Sequence, residues 1–265
     1  MFLAEPGTTA YDFRFGVLGF PVRVHPLFWL MALIVGFGFS GGVGIGLIFG
    51  VGVVFLSILI HELGHAIMFR RYGSDCHIVL HGFGGLAIPG QEEGPSSWGY
   101  NAKWGQSRQP TLQEQIIISF AGPAAGFILA GLTIIIVQLT GGRFDIERQF
   151  GIPYPQPVFS GALAENIHLY LLVRAMLYVN IWWGVMNLLP VYPLDGGQIA
   201  LAMVVLNDPW RGAEKALWIS TVTGGVVAAL AALVLQELYL TLLFGSLAYS
   251  SYVALSQISG GPRGW

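Results

Sequence analysis

Six stretches of this sequence are each long and apolar enough to cross a lipid bilayer, and that decides the solvent in which the chain folds. They lie near residues 22–40, 43–69, 112–139, 167–189, 213–235 and 238–257, against a need for roughly 20 predominantly apolar residues per spanning helix. One globular core could not bury so much apolar surface, so hydrocarbon takes the place of water around most of it. The composition agrees: 10% of the 265 residues are charged and 54% hydrophobic, where a soluble domain carries about 25% charge. The expected fold class is an all-α polytopic membrane protein of about six transmembrane helices. A seventh apolar stretch, 194–206, is too short to span and opens among Pro193, Asp195, Gly196 and Gly197. It reads as a half-helix or re-entrant piece.

Three segments follow from this pattern: an N-terminal cytoplasmic segment 1–21, a single transmembrane domain 22–257, and a tail 258–265. Within the domain, residues 89–111 form a polar loop rich in Gly, Pro, Ser and Gln. Just before it, His77-Ile78-Val79-Leu80-His81 and Leu86-Ala87-Ile88 flank Gly82-Phe83-Gly84-Gly85, which predicts a small membrane-associated β-hairpin. The first residues contain Glu5, Pro6 and Asp12 and lack a basic start followed by an apolar block, so no cleaved signal peptide is expected.

Cytoplasmic loops retain lysine and arginine. With the N-terminus inside, Arg14, Arg23, Arg70, Arg71, Lys103, Arg108, Arg211, Lys215 and Arg263 fall on that side and Arg143 and Arg148 on the other. Both termini are therefore expected in the cytoplasm. Net charge is −2 and the basic residues are scattered, which excludes the electrostatic footprint of a nucleic-acid binder. Cys76 is the single cysteine, so neither an intrachain disulfide nor a cysteine zinc cage can form. The bilayer is the one partner that composition demands.

The chemistry is carried by His61-Glu62-Leu63-Gly64-His65 in the second apolar segment. On an α-helix His61 and His65 lie one turn apart on one face, where both imidazoles reach one Zn²⁺ and Glu62 stands beside the fourth coordination position. Ionisable residues inside a membrane helix cost about 2.5–3.5 kcal/mol each on insertion scales, and a metal compensates for three of them in five positions. Catalytic zinc keeps three protein ligands, so one Zn²⁺ per chain needs a third donor from elsewhere. Asp195 is the leading candidate. It follows Asn187-Leu188-Leu189-Pro190-Val191-Tyr192-Pro193-Leu194, where two prolines interrupt any helix, and broken backbone at membrane depth must be buried or line a polar cavity. Asp195 would equally serve as N-cap of the short segment after it, and both readings stand on spacing alone. Two other classes compete: a non-proteolytic zinc-binding membrane protein and an ion transporter. Metal binding alone does not require Glu62, and the chain lacks the internal repeats of many transporters.

The ordered pair His61 to His65 and Asn187-x-x-Pro190-x-x-Pro193-Leu194-Asp195-Gly196 resembles the site-2 protease family of intramembrane zinc metalloproteases. Pro21-Val22-Arg23-Val24-His25, Gly82-Phe83-Gly84-Gly85 and Ala121-Gly122-Pro123 extend the likeness from about Phe15 to Gln198. The resemblance implies that His61, His65 and Asp195 are zinc ligands and that Glu62 is the catalytic base. It implies that Asn187 contacts the substrate or the developing oxyanion. It also implies an enzyme, a zinc metalloendopeptidase whose partners are membrane-embedded or membrane-associated regulatory proteins. Where relatives often carry an asparagine four residues after the glycine of Ala121-Gly122-Pro123, this chain has Gly126, so a polar role at that position is expected to be missing. Room and composition for PDZ or CBS-type modules are lacking, and a minimal form is expected.

Other features read more plainly. Gly42, Gly46 and Gly50, and Gly122 with Gly126, have the spacing of close helix packing. His25, His77, His81 and His168 are expected at surfaces or in hydrogen bonds, and Trp182 and Trp183 in packing.

Overall fold

The computed structural model describes residues 6–40, 44–90, 108–149 and 151–259. Most of the polar loop expected at 89–111, Gly42 and the end of the tail expected at 258–265 lie outside the described residues. Strands β1 (Phe13–Val17) and β2 (Phe20–Val24) precede helices α1 (Pro26–Ser40) and α2 (Ile45–Arg71), then β3 (Cys76–His81) and β4 (Gly84–Pro89). Helix α3 (Leu112–Leu139) leads to β5 (Arg143–Gln149) and β6 (Ile152–Val158), the short α4 (Ala162–Glu165) and α5 (Ile167–Asn187). The chain closes with α6 (Asp195–Asn207), α7 (Gly212–Leu230) continued by a π-helical turn at Ala231–Leu235, and α8 (Leu238–Ser259).

Among the described residues, five helices are long and apolar enough to cross a membrane: α2, α3, α5, α7 with its π-helical turn, and α8. The expected segments recur, with one change at the first. Residues Phe20–Val24 form a strand, which leaves α1 only 15 residues, about 22 Å at 1.5 Å per residue against a hydrocarbon core of about 30 Å. Apolarity alone does not distinguish a buried strand from a helix start. The short segment expected at 194–206 is α6, with 13 residues. Outward-facing side chains are apolar, as bilayer contact requires: Ile48, Ile128, Ile136 and Leu233 are all exposed.

The described chain forms two compact units, divided within α3 after Phe120 and within α5 after Gly184. One unit holds the sheets, α1, α2, most of α3 and most of α5. Its four-stranded sheet has the order β1-β2-β3-β4. The expected hairpin is present as β3 and β4, paired antiparallel from Cys76↔Pro89 to His81↔Gly84. It is half of a larger sheet, because β2 pairs in parallel with β3 at Val22↔Ile78 to Val24↔Leu80. Every residue of β3 is buried, so His77 and His81 are interior and not surface groups. The Nδ1 atom of His77 lies 3.4 Å from Gly90 O, and Nδ1 of His81 accepts the Phe83 N–H at 3.4 Å. Burial, aided by the nearby His25 and Arg23, pulls His81 down to about 4, so it is neutral at pH 7. Arg23 is buried as well, and its charge is met by Asp12 at 3.2 Å. Helices α1 and α2 approach at Gly36 and Gly50, where a Cβ on Gly36 would stand 2.8 Å from Val51 N. Of the spaced glycines Gly42, Gly46 and Gly50, Gly50 lies at this close approach and serves packing.

The other unit holds α6, α7 and α8 with the C-terminal end of α5. Val191, Phe244 and Leu247 form its buried cluster. The broken stretch between α5 and α6 is tied down by Ser220, whose Oγ accepts the Tyr192 N–H at 2.6 Å and lies 2.8 Å from Ser251 Oγ.

Candidate metal centre

His61 lies about 24 Å from the start of α2 and about 15 Å from its end at 1.5 Å per residue. It is therefore well inside the span. His61, Glu62 and His65 are 3%, 4% and 7% exposed. The ring Nε2 atoms of the two histidines are 3.2 Å apart, with the ring planes at 78°. Two neutral imidazoles that converge nitrogen to nitrogen need a proton or a cation between them. Buried imidazole donors that share one point are the set a divalent metal uses, and the pair fits one.

Neighbouring backbone makes that convergence possible. A Cβ on Gly122 of α3 would collide with Nε2 of His65 and stand 2.8 Å from Nε2 of His61. One on Gly64 would collide with the carbonyl of Ala121, so α2 and α3 touch main chain to main chain beside the motif. Gly122, which spacing presents as a packing residue, also leaves the room in which the imidazole nitrogens meet. Glu62 is bounded by β4: a Cβ on Gly85 would lie 2.6 Å from its Oε1. The paired glycines of the hairpin thus bring strand backbone across the carboxylate. The sequence marked the turn but carried no sign that it reaches Glu62.

One helical turn back along α2 is Ser57, whose Oγ accepts a hydrogen bond from Nδ2 of Asn180 at 2.8 Å. The same nitrogen donates to Met176 O at 2.8 Å. A Cβ on Gly126 would stand 3.6 Å from Oδ1 of Asn180. Position 126 carries no polar side chain, yet a carboxamide from α5 lies against it. A lone asparagine in an apolar segment was the only sign of this in the sequence.

Asp195 and Asn187 belong to the other unit. Asp195 is buried at the first residue of α6, and the N-cap position is Leu194, so Asp195 does not serve as the cap. Gly196 and Gly197 follow, and a Cβ on either would collide with backbone between Leu188 and Tyr192. Gln198 donates to Pro193 O at 3.2 Å and accepts from Gln115 Nε2 at 2.6 Å. Asn187 ends α5 and is half-buried. Trp182 packs with Tyr154 and Tyr178, as expected of a packing residue.

The description of peptidase family M50 matches residues 49–230, a range that includes both His61 to His65 and Asn187 to Asp195. The chain belongs to peptidase family M50. The resemblance to site-2 proteases is borne out. A protein named zinc metalloprotease from Methanocaldococcus jannaschii is 27% identical over 197 residues, covering 73% of this chain and 46% of the relative. The chain thus spans about half the length of that curated relative. The solved site-2 protease from Methanocaldococcus jannaschii superposes with a TM-score of 0.53 at 23% identity, covering 92% of this chain and 95% of that one. That match shows the M50 member's fold.

Proposed function

We propose that this chain is an intramembrane zinc metalloendopeptidase that hydrolyses peptide bonds of membrane-embedded or membrane-associated regulatory proteins. The observation that carries this reading is the 3.2 Å approach of two buried imidazole nitrogens on a membrane helix, with a buried carboxylate on the adjacent residue. A zinc-binding protein without hydrolytic activity would have no use for that carboxylate. The name of the Methanocaldococcus jannaschii relative supports the same activity.

His61, His65 and Asp195, all three buried, would hold one Zn²⁺ per chain. When bound, zinc would supply Lewis acidity, the chemistry that activates water near neutral pH. Glu62 takes the proton from the attacking water and returns it to the leaving amine. Asn187 donates a hydrogen bond from its carboxamide to the tetrahedral oxyanion. A transmembrane substrate has its carbonyls occupied in helical hydrogen bonds, so it must unwind locally before attack. Strand β4 is an edge of its sheet among the described residues, and Gly85 of that strand borders Glu62. The unwound segment adds to this edge at the usual strand spacing of about 4.8 Å, within reach of the base. The lysine and arginine distribution favours both termini in the cytoplasm, a topology that requires the short α1 to cross together with the five longer helices.

The test uses Glu62→Gln in the native membrane, crosslinked to its partners. Proteins that accumulate uncut are identified and offered to the unmodified chain in lipid. The reading expects cleavage by the unmodified chain, none by Glu62→Gln, and one zinc in each. Cleavage by Glu62→Gln, or an unmodified chain free of zinc, would overturn it.

A further inference from the structure

We propose that Asn180 is a substrate-binding residue whose Oδ1 accepts a main-chain N–H of the unwound substrate, one helical turn along α3 from the histidines. The inference rests on the proteolytic reading above and names the group that holds the substrate's backbone.

The orientation of the carboxamide is set by its partners. Nδ2 donates to the carbonyl oxygen of Met176 at 2.8 Å, an atom that can only accept, so the amide cannot be turned over. The oxygen therefore points away from both Met176 and Ser57. It has no hydrogen-bond partner among the described residues, although Asn180 is 2% exposed. Buried acceptors are almost always satisfied, and an exception asks for a reason.

Its position supplies one. Ser57 precedes His61 by four residues on α2, and Gly126 follows Gly122 by four on α3, so the two helices present matching turns. At the first turn a Cβ on Gly122 would lie 2.8 Å from His61 Nε2, and at the second a Cβ on Gly126 would lie 3.6 Å from Asn180 Oδ1. Neighbouring Cβ positions on one helix face are about 5–6 Å apart, so Oδ1 lies no more than about 12 Å from the imidazole nitrogen. An extended chain advances about 3.3–3.6 Å per residue, which puts the oxygen within three or four substrate residues of the histidine pair. The nearest atom to a Cβ on Gly126 is Asn180 O at 3.4 Å, so a methyl-sized space borders the oxygen. Lipid chains carry no donor at this depth. An unwound substrate carries one N–H per residue, each without a partner in hydrocarbon.

The probe is a fluorescent synthetic transmembrane peptide with a Gly-Pro centre, in lipid bicelles. Its binding is measured by anisotropy on the Glu62→Gln chain, and its cleavage on the unmodified chain. Asn180→Leu should weaken binding on the order of tenfold, the worth of one hydrogen bond to a buried acceptor, and raise KM similarly with kcat nearly unchanged. Zinc content should stay within error in both variants, while Tm falls modestly in Asn180→Leu, which loses the Nδ2 bonds to Ser57 and Met176, and holds in Gly126→Ala. Gly126→Ala should act in the same direction while keeping Asn180, because the methyl fills the space beside the oxygen; alanine fits there by distance and favours the helix. Unchanged binding by both variants, or loss of zinc and Tm together with binding in both, would overturn the inference. Peptide bound with this Asn180 dependence but never cut by the unmodified chain would remove the proteolytic reading instead. Absence of binding by Glu62→Gln itself would remove both.

Discussion

Gly122 on α3 faces His61 on α2 so closely that a Cβ on the glycine would stand 2.8 Å from the histidine's Nε2. The 3.2 Å convergence of His61 and His65 depends on that absence of a side chain. The helical spacing of the motif brings the rings to one face; the neighbouring helix leaves them the room to meet.

Gly122→Ala should therefore lose zinc while the helix is retained or gains, since alanine is favoured over glycine in a helix interior by about 1 kcal/mol. Metal analysis and thermal unfolding on one preparation check this. A fully metallated Gly122→Ala chain would show that the rings adjust freely, and the close approach would lose its significance.

Asp195→Ala should lose zinc to the same degree as His61→Ala, because a catalytic site with two protein ligands instead of three binds its metal weakly. Leu194 holds the N-cap position of α6, so loss of a cap does not confuse the comparison. Normal zinc in Asp195→Ala would withdraw the residue from the ligand set.

Asn187→Ala should behave otherwise: metallated and folded, but slower by about 10² to 10³, the usual cost of removing one oxyanion donor. The loss should fall on kcat and leave substrate capture by the Glu62→Gln chain intact. If Asn187 only satisfies backbone groups freed by Pro190 and Pro193, Tm and zinc should fall together instead.

Cysteines introduced at Gln109 and at Glu147 flank α3 and should label from opposite sides of the membrane with an impermeant maleimide. Gln109 should label from the cytoplasmic side. Native Cys76 gives little background: burial pushes its thiol up to about 12, with Asp75 and Glu62 adding to the shift, so it remains protonated and inert at pH 7 to 8. Cys76→Ser removes what remains. Labelling of both positions from one side would overturn the assignment of α3 as a span.

The sequence by itself determined the solvent, the helices and the chemistry of the motif. Apolar runs of a given length report the bilayer whatever the tertiary fold, and α2, α3, α5, α7 and α8 lie close to the predicted segments. His61 and His65 were legible because a four-residue spacing on a helix has one geometric meaning. The hairpin of β3 and β4 was legible from a local glycine turn between β-rich runs, whereas β1 and β2 were not. Val22 pairs with Ile78 across α1 and α2, and pairing over such a distance leaves no local pattern; Pro21 further disguises the strand. The hairpin of β5 and β6 was missed because Pro153, Pro155 and Pro157 occupy one of its strands.

Only the tertiary structure decided which backbone and which polar groups border the motif. Gly122, Gly85 and Asn180 come from three elements far apart in the chain, and each acts by proximity to a residue it does not resemble or adjoin in sequence. A glycine against an imidazole, a strand across a carboxylate and a carboxamide beside a bare helix turn are all consequences of close packing. Packing arises between elements, so no single segment of the chain contains it.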